Sequence, residues 1–170
     1  MIRIISLLLV GLMSLSACDV PASNSPTLAA DGLPAPKVYR IRNAGKVQFR
    51  ILDSINSLRS AAGAAPVALN AELTAAAATH SLDMSKQNRP WHFGSDGSSP
   101  IDRVQRAGYS GAMLGEAISE TYESELETLG AWMQEPGTRE VLLDQSAVNM
   151  GFSWYQEKNG KIWWTLVMGS

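Results

Sequence analysis

Cys18 is the only cysteine in this chain, so no disulfide can form within it and its stability must come from packing. With only two histidines, His80 and His92, there is no zinc-finger spacing. Walker loops and dinucleotide-binding glycine fingerprints are absent too. The net charge of −2 gives no electrostatic footprint for nucleic acid. No apolar run reaches the ~20 residues that a membrane-crossing helix needs. What remains is an ordinary globular composition, 45% hydrophobic and 18% charged, at a length that fits one domain with appendages.

The first appendage is a leader over residues 1–17. Arg3 supplies a positive start and Ile4 to Leu15 an apolar stretch too short to span a bilayer. It ends in Leu15-Ser16-Ala17-Cys18, which resembles the lipobox of bacterial lipoproteins. That resemblance implies acylation of Cys18, with the membrane as partner, and a location in the bacterial cell envelope facing the periplasm or the exterior. Asp19 resembles the inner-membrane retention signal of some such proteins. Residues 18–37, with Pro21, Pro26, Pro34 and Pro36 and hardly any large apolar side chain, read as a flexible tether.

The domain is expected over residues 38–170. Val38 to Asn43 fits either a short edge strand or the end of the tether. Val47, Ile51, Ile55, Leu58 and Ala62 recur at helical spacing and predict a helix from about 45 to 61, closed at Gly63. Asn70 can cap a second helix with Leu73, Ala77, His80 and Met84 on its apolar face. After Pro90-Trp91-His92 the chain turns at Asp96-Gly97, and Ser99 caps a short third helix with Pro100 at N1 and Asp102 at N3. Gly108 ends it. Glu116 to Thr121 fits a strand. Tyr122, Leu126, Leu129 and Met133 form another helical stripe, beside which Glu123, Glu125 and Glu127 read as a solvated face. Pro136-Gly137 precedes a helical turn through Leu143. Val148, Met150, Phe152 and Trp154 alternate like a half-buried strand, and Asn159-Gly160 signals a hairpin into Ile162–Met168, apolar on both faces. The expected class is α+β, an α-β-α sandwich with a small antiparallel sheet between helical layers.

The stretch from His92 to Glu116 concentrates the chemistry: a histidine, a Gly/Asp/Ser turn, a capped helix carrying Arg103, then Gly115-Glu116. Together with Leu58-Arg59, Asp83-Met84, Gly108-Tyr109, Trp132, Pro136-Gly137, Arg139, Gly151 and Trp164-Thr165, this order resembles the CAP superfamily (cysteine-rich secretory, antigen 5 and pathogenesis-related 1 proteins) in its compact bacterial branch. The resemblance implies the α-β-α fold and a surface cleft with His92 and Glu116. It also implies a second carboxylate from Glu135, by a Trp-x-x-Glu pattern, and puts Thr138 where the branch usually has a second histidine. Some members bind zinc there.

Zinc asks for about four N, S or O ligands, and the departures at Thr138 and Ala117 argue against it, so no cofactor is expected. His80 reads as a buried histidine satisfied by hydrogen bonding. His92 and Glu116 would suit a general acid-base pair, because imidazole titrates near neutral pH and a carboxylate orients it; no nucleophile accompanies them. Trp91, Trp132, Trp163 and Trp164 suit either a groove or a core. The expectation is a binding or interaction module for a lipid, glycan or protein ligand, with a hydrolase using His92 and Glu116 as the alternative.

Overall fold

The computed structural model describes residues 38–120 and 122–170. The leader, Cys18 and the tether lie outside the described residues, as does Thr121. Val38–Ser170 forms a compact unit with its own core.

Five helices and four strands make up the unit. Helix α1 (Ala44–Ala61) is capped by the Asn43 side chain accepting from the Lys46 amide. Strand β1 (Ala68–Leu69) leads to Asn70, which caps α2 (Ala71–Gln87) as its sequence suggests. The short α3 (Pro100–Arg106) starts in a capping box: Asp102 N–H donates to Ser99 Oγ, and Ser99 N–H donates back to the Asp102 carboxylate. Strand β2 (Met113–Glu120) begins three residues before the expected start because its pairing with the last strand continues to Gly169. Helices α4 (Glu125–Gln134) and α5 (Pro136–Leu143) follow, then β3 (Asn149–Gln156) and β4 (Ile162–Gly169). Gly160, at φ 103°, takes the hairpin conformation that the Asn-Gly pair anticipates.

The sheet order is β1-β3-β4-β2. The three long strands are antiparallel; the two-residue β1 pairs parallel to β3 at one edge, so the sheet is mixed. β4 is central and buried along its whole length, which explains its lack of alternation. Its even residues Ile162, Trp164, Leu166 and Met168 pack with Val47, Ile51, Ile55, Leu129, Trp132 and Leu142 of α1, α4 and α5. On the other face Val167 packs with Leu73, Ala76 and Ala77 of α2 and Val104 of α3. The alanines of α2 let it approach closely enough that a Cβ on Gly151 would lie 2.1 Å from the Leu73 carbonyl carbon.

Two expectations change. The buried face of α4 is Glu125, Thr128, Leu129 and Trp132, while Leu126 is exposed and Tyr122 lies outside the helix. Glu125 is therefore no part of a solvated face: its carboxylate accepts from the Arg50 guanidinium, across to α1. Val38–Asn43 is neither strand nor loose end. Gln156 ties it down, donating to Tyr39 O at 2.7 Å and accepting from Ile41 N–H at 3.2 Å.

Candidate functional site

The site is built on the loop between α2 and α3. Asn88, in the left-handed region at φ 52°, ends α2 and turns the chain outward. The loop is then held from both helices. Gln87 Nε2 donates to Phe93 O at 3.0 Å and Arg103 Nη1 to His92 O at 2.9 Å. Asp83 accepts from Ser95 N–H at 2.7 Å and Ser95 Oγ at 2.5 Å. Burial alone would raise the Asp83 pKa, but these bonds and one from Gln87 outweigh it and hold the carboxyl below its ordinary range.

Below the loop, Glu116 projects from β2. Gly115 beside it faces Val141 of α5, so alternation along the strand sends Glu116 to the opposite face, toward α2 and α3. Its side chain is 2% exposed and both oxygens are engaged. Arg103 Nη2 lies 3.0 Å from Oε1 and 2.8 Å from Oε2, and His92 Nδ1 donates to Oε1 at 2.9 Å. With the Nδ1 proton on the carboxylate, the Nε2 edge of the half-exposed His92 ring is left for solvent or a ligand. Trp91 and Phe93 flank it, partly exposed, with ring centroids 5.4 Å apart and the Arg89 guanidinium stacked 3.4 Å over Trp91.

His80 closes the arrangement from α2. It is fully buried, and its Nε2–H donates to Trp91 O at 2.9 Å. Its distance to Glu116 Oε1, 3.7 Å, is too long for a hydrogen bond. Burial lowers its pKa, partly opposed by the Glu116 charge, so the ring is neutral near pH 7. Nδ1 has no hydrogen-bond partner.

Of the residues singled out in the sequence, His92 and Glu116 come together. Glu135 and Thr138 belong to the α4–α5 layer on the other face. Glu135 is exposed, ending one helix and starting the next, and the Thr138 hydroxyl donates to Trp132 O at 2.6 Å, satisfying the end of α4. Neither is hydrogen-bonded to His92 or Glu116 among the described residues. Trp132, Trp163 and Trp164 are core; only Trp91 reaches the surface at the site. Two members carried no role at the site in the sequence reading: Arg103, named there only as part of the stretch, and His80, read as a buried, hydrogen-bonded histidine, which it is. The signal for Arg103 was an arginine beside Val104, the one buried apolar residue of a seven-residue helix. His80 gave none, since its place on an apolar stripe is also what a core histidine shows.

The donor set does not fit zinc. Its best carboxylate is already held by a guanidinium, which would repel a second cation. Among the described residues no group of three or more His, Cys, Asp or Glu side chains is placed to hold a metal ion. Arg103 also lines a groove of about 420 Å³ between α2, α3 and the loop, with Ala76, Leu82, Asp83, Ser95 and Arg106.

Residues 52–168 match the CAP family, the cysteine-rich secretory protein family. The chain is 26% identical over 148 residues to YkwD, an uncharacterized protein of Bacillus subtilis (strain 168), covering 87% of this chain and 54% of that protein. It thus spans about half the length of that curated relative. An outer surface protein of Borrelia burgdorferi shares the fold at TM-score 0.64 and 15% identity, over 79% of this chain and 98% of the other. An extracellular Bacillus anthracis protein containing an SCP domain does so at TM-score 0.66 and 22% identity, over 76% of this chain and 44% of the other. Extending over most of the domain, including the loop, Arg103 and Glu116, the match establishes that this chain belongs to the cysteine-rich secretory protein (CAP) family.

Proposed function

We propose that the protein is a lipid-anchored, envelope-facing CAP domain that works as a binding or interaction module without catalysis of its own. Anchoring is supported by Leu15-Ser16-Ala17-Cys18, and an envelope or external location by relatives called an outer surface protein and an extracellular protein. One observation carries the non-catalytic reading: Arg103 and His92 occupy both oxygens of Glu116. A carboxylate so held positions His92 and balances Arg103; it is a poor proton acceptor for a substrate. Two hydroxyls of the same loop are spent on carboxylates, Ser95 on Asp83 and Ser99 on Asp102. The ligand, a lipid, glycan or protein of the envelope, contacts the outer His92 edge with Trp91 and Phe93 beside it, an amphipathic surface suited to recognition.

The 2.9 Å contact between His92 and Glu116 favours one other reading, a hydrolase of peptide or cell-wall material with that pair as acid and base. Zinc titration by calorimetry and hydrolysis assays on peptide and cell-wall fragments, each with wild type and His92→Ala, separate the two. The binding reading expects no zinc heat and no turnover, with loss of binding on glycan and lipid arrays in the variant at unchanged thermal stability. Micromolar zinc binding or turnover that disappears in His92→Ala overturns it.

A further inference from the structure

The domain begins with a run of one charge sign. From Val38 to Leu52 the chain carries Arg40, Arg42, Lys46 and Arg50 and no acidic residue, although the chain as a whole is net negative. The same run is rich in exposed apolar surface. Phe49 is 63% exposed, more than any other large hydrophobic residue described, and Val38 and Tyr39 exceed 40%.

These residues share a surface. Lys46, Phe49 and Arg50 lie on the outward side of the first turns of α1, opposite Val47, Ile51 and Ile55. Tyr39 is held to β3 through Gln156, as the start of α1 is through Gln48 Nε2 donating to Phe152 O at 3.1 Å. Arg40 donates to the carbonyls of Glu157 and Lys158, which brings the β3–β4 turn and the exposed Lys158 alongside. Arg42 and Lys46 make no ion pair among the described residues. Acidic side chains stand nearby too: Glu157 belongs to the turn that Arg40 holds, Glu125 pairs with Arg50, and Asp53 lies one turn beyond Phe49 on α1. The exposed Tyr39 and Phe49, with Arg42 and Lys46 free of ion pairs among the described residues, match the chemistry of an anionic bilayer interface, where rings enter the headgroup layer and long cationic chains stay at its surface.

We infer that the surface formed by Val38, Tyr39, Arg42, Lys46 and Phe49 docks the domain onto an anionic phospholipid bilayer. The inference goes beyond acylation of Cys18 but takes the bilayer as occupant from that reading: Val38 is where the chain enters the domain from the residues that carry the anchor, so this end is brought to the membrane first. A domain laid down on this surface has a fixed orientation rather than hanging from its lipid.

The test uses residues 38–170, the compact unit that holds both apolar clusters, with no acyl group present. It is floated with phosphatidylcholine vesicles with and without phosphatidylglycerol. Binding is expected only to the anionic vesicles, and to fall between about 0.1 M and about 1 M salt, as the screening length drops from about 10 Å to about 3 Å. Arg42→Gln and Lys46→Gln should each lower the partition constant roughly fivefold, and Phe49→Ser roughly tenfold. Unchanged thermal unfolding of Phe49→Ser confirms that the fold is intact. Absence of vesicle binding, or variants that bind like wild type, overturns the inference. So does a dimer that Phe49→Ser dissociates while vesicles bind nothing, which assigns the surface to a second copy. The mass of the full-length protein reads acylation separately: an unmodified Cys18 with vesicle binding intact removes the anchor but keeps the docking surface.

Discussion

Arg103 and Glu116 meet through one nitrogen and two oxygens, Nη2 lying 3.0 and 2.8 Å from the two ends of the carboxylate, with both side chains almost wholly out of water. Two charges in that position stabilise the fold only as a pair. Removing one leaves the other desolvated, a loss of about 3–5 kcal/mol. Because Nη1 of the same guanidinium holds the carbonyls of His92 and Ser98, the loss extends to the loop. Arg103→Met should therefore lower stability in urea unfolding by about that amount and speed hydrogen exchange of the amides from 92 to 98. Arg103→Met with Glu116→Leu should recover a large part of the stability but not the exchange protection. A double variant as unstable as the sum of the singles rules out this coupling.

His80 imposes a pH dependence of known sign. Its pKa in the folded protein lies below the ordinary histidine value because burial penalises the charged ring, with Arg103 acting in the same direction and Glu116 and Asp83 against it. The unfolded chain thus takes up a proton that the folded one refuses. The associated stability is complete above the unfolded value of about 6.5 and declines as pH falls through it, by at most about 1.4 kcal/mol per pH unit for one proton. Urea unfolding at about pH 7.5 and about pH 5.5, one unit either side of that value, should show a steeper loss for wild type than for His80→Gln. Equal slopes place the titration elsewhere.

How far the sequence could reach depends on which force sets each feature. Helix starts were legible because Asn70 and Ser99 act on amides three residues away, within one turn of chain. The sandwich was legible because apolar periodicity records burial directly, as along β4. The α4 face was misread because Glu125 is buried through a partner 75 residues distant, and a residue's ion pair across the core leaves no mark on its local pattern. The site divides the same way. His92 and Glu116 stood out as chemical types near a turn, whereas Arg103 and His80 joined them only through the crossing of α2 and α3 over β2.

Arg50 and Glu125 should respond unequally to substitution. The Glu125 side chain is 1% exposed and the Arg50 side chain 50%. Arg50→Met strands a carboxylate in the interior, whereas Glu125→Gln leaves a guanidinium that water can still reach. The first should cost about 2–4 kcal/mol and the second about 1 kcal/mol. Chemical denaturation of the two variants reads the difference directly. Equal losses mean that the carboxylate finds water or another donor once Arg50 is gone.

Gly151 sets the distance between α2 and the sheet. A Cβ there would lie 2.1 Å from the Leu73 carbonyl carbon, 2.4 Å from its oxygen and 2.4 Å from Thr74 N, all backbone atoms that no rotamer change can clear. Relief requires the start of α2 to lift from β3, opening the packing of Leu73 and Ala77 and, through the same rigid helix, shifting His80 against Trp91. Gly151→Ala should thus cost about 3 kcal/mol, the upper end of ordinary overpacking, and should also raise the exchange rate of loop amides near Trp91, at the far end of α2 from Leu73 and beyond the reach of local crowding. A loss of stability confined to the α2 start, with the loop still protected, limits the effect to local crowding and removes the helix as the link between sheet and site.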